Sequence, residues 1–128
     1  MYSPNPSGQK KLGLEGEKFA ANYLNNLGYK IIERNYECKL GELDLIATID
    51  EYLVFVEIKT KSDTKDRVSP LLSITRKKRK KITDLAAFYI AGKSLYDRQP
   101  RFDVIALVKQ GKNDFQIEHI VNAFFPEC

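Results

Sequence analysis

Gly41-Glu42-Leu43-Asp44-Leu45-Ile46-Ala47, followed after a short polar turn by Val54-Phe55-Val56-Glu57-Ile58-Lys59, is the stretch that decides how this chain folds. Both runs are rich in β-branched and aromatic residues and read as strands over residues 42–48 and 52–60, joined through Asp50-Glu51. Side chains alternate along a strand, so Glu57 and Lys59 share one face while Val54, Val56 and Ile58 take the other. Glu42 and Asp44 likewise share a face, opposite Leu43 and Leu45. Ionised groups are costly to bury unless they pair or hold a metal, so Asp44, Glu57 and Lys59 on two adjacent buried strands need a reason. If the strands pair across the turn, the three converge. Two carboxylates and an amine suit a hard, oxygen-binding cation such as Mg²⁺ or Mn²⁺, with the lysine beside its water. An ion pair at the sheet surface is the plain alternative.

Working outward, residues 1–11 carry two prolines and polar residues and read as a flexible arm, leaving residues 12–128 as one domain. Residues 12–27 are helical in pattern: Gly16, Ala20, Tyr23, Leu24 and Leu27 form a stripe, with Gly28 as terminator. Residues 29–36 read as a strand and residues 62–68 as irregular. A second helix starts at Ser69-Pro70 or within residues 73–75 and ends before Gly92. Its inward stripe is Ile74, Lys78, Ile82, Leu85 (or Ala86) and Tyr89. Residues 101–108 and 115–120 read as strands about a turn at 111–114. The order α-β-β-β-α-β-β belongs to an α/β protein with a mixed sheet flanked by helices.

The chain has 128 residues, 43% hydrophobic and 30% charged, which fits a soluble globular domain with a real core. Its net charge of +4 is modest, but Arg76-Lys77-Lys78-Arg79-Lys80-Lys81 sets six cations in a row. Cys38 and Cys128 have neither metal-site nor disulfide spacing. The first residues lack the apolar stretch of a signal peptide, and no run approaches the roughly 18 apolar residues of a membrane span. A cytoplasmic protein with reduced thiols and no membrane partner is expected. There is no glycine-rich phosphate loop, Ser/His/Asp order, zinc-ligand cluster or dinucleotide fingerprint.

Asp44 followed by Glu57-Ile58-Lys59 resembles the PD-(D/E)xK signature of the restriction-endonuclease-like superfamily. The wider series is similar to the YraN-type family of small bacterial proteins: Gly16-Glu17, Tyr23-Leu24, Gly28-Tyr29, Arg34-Asn35, Gly41 to Ala47, Val54 to Lys61, and Arg101-Phe102-Asp103-Val104. That family is close in plan to archaeal Holliday-junction resolvases, and the resemblance runs from about Gly13 to Phe124. It implies a restriction-endonuclease-like core. The chain departs from the pattern at Leu43, where the superfamily has proline, and at Glu37, a position more often basic.

The resemblance implies that Asp44 and Glu57 are metal ligands, with the Ile58 carbonyl as a third and Glu17 on the first helix as a direct or water-mediated fourth. For Glu17, a first-turn glutamate favoured by the helix dipole is the plain alternative. Lys59, flanked by carboxylates, is expected to keep its charge and act electrostatically. Glu42 is either the periphery of the metal site or a plain salt-bridge partner. If the second helix starts near Thr75, its first turns hold like charges where the dipole disfavours cations, a cost that a bound polyanion relieves. Arg76, Lys77, Lys78, Arg79, Lys80 and Lys81, with Lys61 and Arg34, are the expected phosphate contacts, Lys78 reaching toward the site rim. A solvated helix face is the alternative. Arg101 and Asp103 are expected to pair with each other's neighbours, and His119 to be structural. The expected activity is metal-dependent cleavage of DNA, branched or structured DNA in particular, by a homodimer. The second reading is a non-catalytic nucleic-acid-binding module.

Overall fold

All seven expected elements are present in the computed structural model, which describes residues 8–62, 74–112 and 114–126. They are α1 (Gly8–Asn26), β1 (Lys30–Cys38), β2 (Gly41–Ile49), β3 (Tyr52–Lys61), α2 (Arg76–Lys93), β4 (Gln99–Gln110) and β5 (Asp114–Ile120). The strands form one sheet in the order β1-β2-β3-β4-β5. Every neighbouring pair is antiparallel except β3 with β4. A parallel pair cannot be closed by a tight turn, and the chain between β3 and β4 contains α2. The result is an α/β fold with a five-stranded mixed sheet and two helices. Among the described residues no helix is long and apolar enough to cross a membrane.

Element ends depart from expectation for local reasons. α1 begins at Gly8, so residues 8–11 belong to the helix and not to the arm. Residues 1–7, most of the irregular stretch 62–68, the alternative helix start at Ser69-Pro70 and Cys128 lie outside the described residues. α2 starts at Arg76, with Thr75 as its N-cap: the Thr75 hydroxyl accepts the Lys78 N–H at 3.2 Å, satisfying one of the free donors of the first turn. The helix runs through Gly92 because its stop is set elsewhere. Ser94 turns left-handed (φ 54°) and donates its N–H to the Ala91 carbonyl, while the Leu95 N–H reaches Ile90. Leu27 falls after the end of α1 and is half exposed, whereas Ala20, Ala21 and Leu24 are buried.

Strand alternation divides the core in two. On one side of the sheet Ala20, Ala21 and Leu24 of α1 pack with Leu45, Ala47, Val54, Val56, Ile105 and Leu107. On the other, Ile82, Leu85, Ala86 and Tyr89 of α2 pack with Ile46, Leu53, Phe55 and Phe102. Each fully buried large side chain contributes about 1.5–3 kcal/mol.

Two local features then shape the sheet end where the charged residues lie. α1 crosses β3 so closely that a Cβ on Gly16 would meet the Thr60 side chain, 2.8 Å from its Cγ2. Glycine there lets Glu17 approach the sheet. The β1–β2 register runs to Arg34↔Leu45 and resumes at Tyr36↔Leu43, with Asn35 between them in the left-handed region (φ 52°). On the other edge of β2, register with β3 extends from Ile49↔Tyr52 to Leu45↔Val56. Asp44 therefore sits where β2 is released on both sides. Simple alternation also fails there, because Leu43 joins the α2-side cluster while Leu45 joins the α1-side cluster.

Candidate active site

Where β2 and β3 part, the Asp44 carboxylate takes over from the backbone: its Oδ2 accepts the Ile58 N–H at 2.8 Å. Asp44 also hydrogen-bonds the Glu57 carboxyl. Two carboxyl groups can hydrogen-bond only if one keeps a proton. Burial, then the hydrogen bond and charge of Glu57, push the Asp44 carboxyl up to about 8; the Ile58 N–H works against this, and the Glu17 charge adds to it. Glu57 is the ionised partner. Burial opposes its charge, but the Asp44 hydrogen bond and the ammonium groups of Lys78 and Lys59 outweigh burial and hold it below the usual glutamate range.

Lys78 reaches in from the first turn of α2, its Nζ 3.1 Å from Glu57 Oε2. Lys59 and Lys78 also interact directly. Burial and the neighbouring Lys78 lower the Lys59 pKa, against the pull of Glu57 and Asp44. Desolvation and a second amine thus count for more at Lys59 than the nearby carboxylates do. Lys78 is shifted upward, since Lys59 and Glu57 together outweigh its burial.

Glu17 approaches from α1. Burial and then Glu42 raise its pKa, and Arg34 lowers it. Glu17, Glu42 and Arg34 are therefore within electrostatic range of one another, and Glu17 is within range of Asp44. Among the described residues no three His, Cys, Asp or Glu side chains close on one point to hold a metal. The geometry assembles the Asp44–Glu57 pair and leaves Glu17 and Glu42 in its surroundings. A cavity of about 290 Å³ opens over the pair, lined by Glu42, Asp44, Glu57, Lys78, Lys81, Ile82 and Leu85.

The basic run does not act as one block. Lys78 and Lys81 face the cavity, and the Lys81 stem lies over Gly41, whose missing Cβ makes room for it. Arg79 donates Nη1–H to the Ile74 carbonyl at 2.9 Å, and Lys80 pairs with Asp84 at 2.8 Å. Arg76 and Lys77 are exposed at the helix start, Lys61 at the end of β3, and Arg34 on edge strand β1.

A second polar cluster, absent from the expected site, lies at β4 and β5. Asp103 is fully buried. Its Oδ1 accepts Arg101 Nε–H at 2.9 Å and the Asn122 N–H at 3.0 Å. Its Oδ2 accepts Arg101 Nη2–H at 3.0 Å and the Tyr29 hydroxyl at 3.3 Å, and lies 2.8 Å from His119 Nε2. Tyr23 Oη lies 3.2 Å from His119 Nδ1. Arg101 and Asp103 thus bond each other directly, because positions i and i+2 share a strand face, and they also share Tyr29 as a neighbour, Arg101 Nη2–H donating to its hydroxyl at 2.6 Å. The available signal was their spacing, with one histidine on the following strand.

Asn35 is the other residue that strand patterning passes over. Asparagine tolerates the left-handed region better than most residues, and one inside an otherwise extended run is the visible sign of the break opposite Asp44.

Fold and site define an α/β protein whose mixed sheet opens at one end around an acid pair and two lysines. The family model described as "Uncharacterised protein family UPF0102" matches residues 16–107, which include these groups. The chain belongs to this family, the YraN-type family that the motif order resembles. It is 42% identical over 117 residues to a UPF0102 protein of Pelobacter propionicus, covering 90% of this chain and 83% of the relative. It is 41% identical over 118 residues to one from Caldanaerobacter subterraneus subsp. tengcongensis, covering 91% and 96%. A Clostridioides difficile relative is 44% identical over 115 residues, covering 90% and 97%.

Proposed function

We propose that this protein is a divalent-cation-dependent nuclease that hydrolyses phosphodiester bonds in DNA, with branched or structured DNA as its preferred substrate class. The observation that carries the reading is the Asp44–Glu57 pair, two part-buried carboxyl groups lining one cavity, with Asp44 anchored by the Ile58 N–H. Such a pair is unstable as two anions and becomes stable when a cation replaces the proton. The donor set fits Mg²⁺ or Mn²⁺, which keep several waters and need only one or two protein carboxylates together with substrate oxygens. Asp44 and Glu57 would hold the ion. The Ile58 carbonyl would leave β3 on the same edge as its N–H, toward Asp44, and Glu17 would complete the shell directly or through water. When bound, the ion supplies charge stabilisation on phosphate oxygens and an acidified water.

The chain's own residues do the rest. Asp44 is fixed by the Ile58 N–H and so presents its other oxygen at a constant angle. Lys59, with its lowered pKa, can accept a proton from an attacking water or, when charged, steady the phosphate. Lys78, Lys81, Arg76 and Lys77, with Lys61 and Arg34, would contact phosphates without reading sequence. Cleaving both arms of a junction takes two such sites, hence a homodimer. Action on DNA would go with a cytoplasmic location.

The test is cleavage of labelled linear, flapped, single-stranded and four-way-junction DNA with Mg²⁺, Mn²⁺ or EDTA, comparing wild type with Asp44→Ala and Lys59→Ala. Metal-dependent cutting by wild type alone is expected. A non-catalytic nucleic-acid-binding module is the second reading, favoured by the lack of a three-carboxylate cluster among the described residues. Salt-sensitive, metal-independent retention of DNA by all three proteins without cutting would establish it.

A further inference from the structure

We propose that Lys78 is a displaceable internal cation: its ammonium occupies Glu57 until a divalent ion arrives, and then moves to a substrate phosphate, so that metal and nucleic acid load cooperatively. This rests on the metal-site reading of Asp44 and Glu57. Lys78, in the middle of the six-cation run, places its side-chain nitrogen on Glu57 of β3, at 3.1 Å. An ammonium this close competes for that carboxylate oxygen with a divalent ion, whose oxygen ligands sit at about 2.0–2.1 Å. Like charges would also meet across one carboxylate oxygen. Either the ion or Lys78 holds that oxygen.

The geometry gives Lys78 somewhere to go. It stands in the first turn of α2, after the Thr75 cap, on the wall of the open cavity, and its side chain is 37% exposed while Glu57 is 15% exposed. The long stem can swing outward without moving the helix backbone, whereas Glu57 is fixed on the central strand. The Lys81 side chain lines the same cavity and Lys59 interacts with Lys78, so a phosphate seated there would be met by Lys78 at once. Removing Lys78 from Glu57 frees an oxygen for the metal, and the metal releases a positive charge toward the polyanion. Linkage makes the two effects equal in size.

The experiment is a calorimetric and electron-paramagnetic-resonance titration of Mn²⁺ into the full-length wild type, Lys78→Met, Lys78→Gln and Asp44→Asn. Each titration is run alone and with a 12-base-pair duplex, the DNA-only signal being subtracted. Circular dichroism melts confirm folding, and the glutamine variant stands in if the methionine variant does not fold. Both Lys78 variants should bind Mn²⁺ about 5- to 20-fold more tightly than wild type without DNA. The duplex should tighten Mn²⁺ binding to wild type by a larger factor than it does to the Lys78 variants. Equal or weaker Mn²⁺ binding by both folded Lys78 variants overturns the displacement. Loss of binding in Asp44→Asn shows in the same data that the metal site itself stands, and wild-type binding that survives in Asp44→Asn, or no binding anywhere, overturns site and displacement together.

Discussion

Asp44 and Glu57 share a hydrogen bond across the point where β2 and β3 separate, and this forces their pKa values apart, Asp44 up to about 8 and Glu57 downward. One carboxyl is an acid and the other a base at neutral pH, in a cleft that also holds two interacting lysines.

The raised Asp44 pKa sets a pH dependence of stability. The group titrates near its ordinary 3.8 in the unfolded chain and at about 8 in the fold. Between these values the native state holds the extra proton, so its contribution is present at low pH and is lost as pH rises through that window. Asp44→Asn keeps an acceptor for Ile58 and a donor for Glu57 with nothing to ionise. In EDTA at pH 8.5 the variant should be more stable than wild type by about 1–3 kcal/mol, and near pH 4 the two should converge. Urea unfolding across pH 4–9 measures this; a gap that does not grow with pH would refute it.

Saturating Mg²⁺ should reverse that ranking. A ligand at 100 times its Kd stabilises the fold by about 2.7 kcal/mol, and only wild type keeps both carboxylates. Thermal melts at pH 8 with and without Mg²⁺ should show an upward shift in wild type and little in Asp44→Asn.

Asp103 should be a stability residue. Burial opposes its charge, yet the hydrogen bonds of His119, Arg101 and the Asn122 N–H outweigh burial and hold its pKa below the ordinary 3.8. A depressed pKa contributes stability that is present above about pH 4 and is lost as pH falls through the folded value. Asp103→Ala strands a part-buried Arg101 and should cost about 3–5 kcal/mol at pH 7. The penalty should shrink toward pH 2. Chemical unfolding at both pH values checks it, and metal affinity of the folded fraction should not change.

Gly16 offers a test of how α1 is seated. Gly16→Ala drives a methyl group into Thr60, next to Lys59, and should cost about 1–3 kcal/mol. Thr60→Ala in the same chain should recover most of that loss, because the clash is with the threonine side chain. A double-mutant cycle showing simple additivity would mean that the helix moves aside instead.

How much of this could be read in the sequence differs between its parts. The order of elements was legible because the apolar periods change cleanly from helix to strand, as at Ala20-Ala21-Leu24 against Val54, Phe55 and Val56. Helix ends were less so: the stop of α2 depends on Ser94 adopting φ 54°, which serine does not announce. In the site, alternation correctly put Glu57 and Lys59 on one face. It failed at Leu43, because the break at Asn35 and Asp44 is a tertiary event. The lowered pKa of Lys59 could not be read either, since it arises from burial and from Lys78, nineteen positions along the chain and on another element. The Asp103 cluster was hidden for the same reason, its partners coming from Tyr29, Arg101, His119 and Asn122.

The most direct test of the central claim is the anomalous difference map of a crystal soaked in Mn²⁺ without DNA. The expected result is a single strong peak within about 2.0–2.2 Å of oxygens from both Asp44 and Glu57, with Lys78 drawn away from Glu57. A map with no peak at that pair, and Lys78 still on Glu57 at millimolar Mn²⁺, would contradict it.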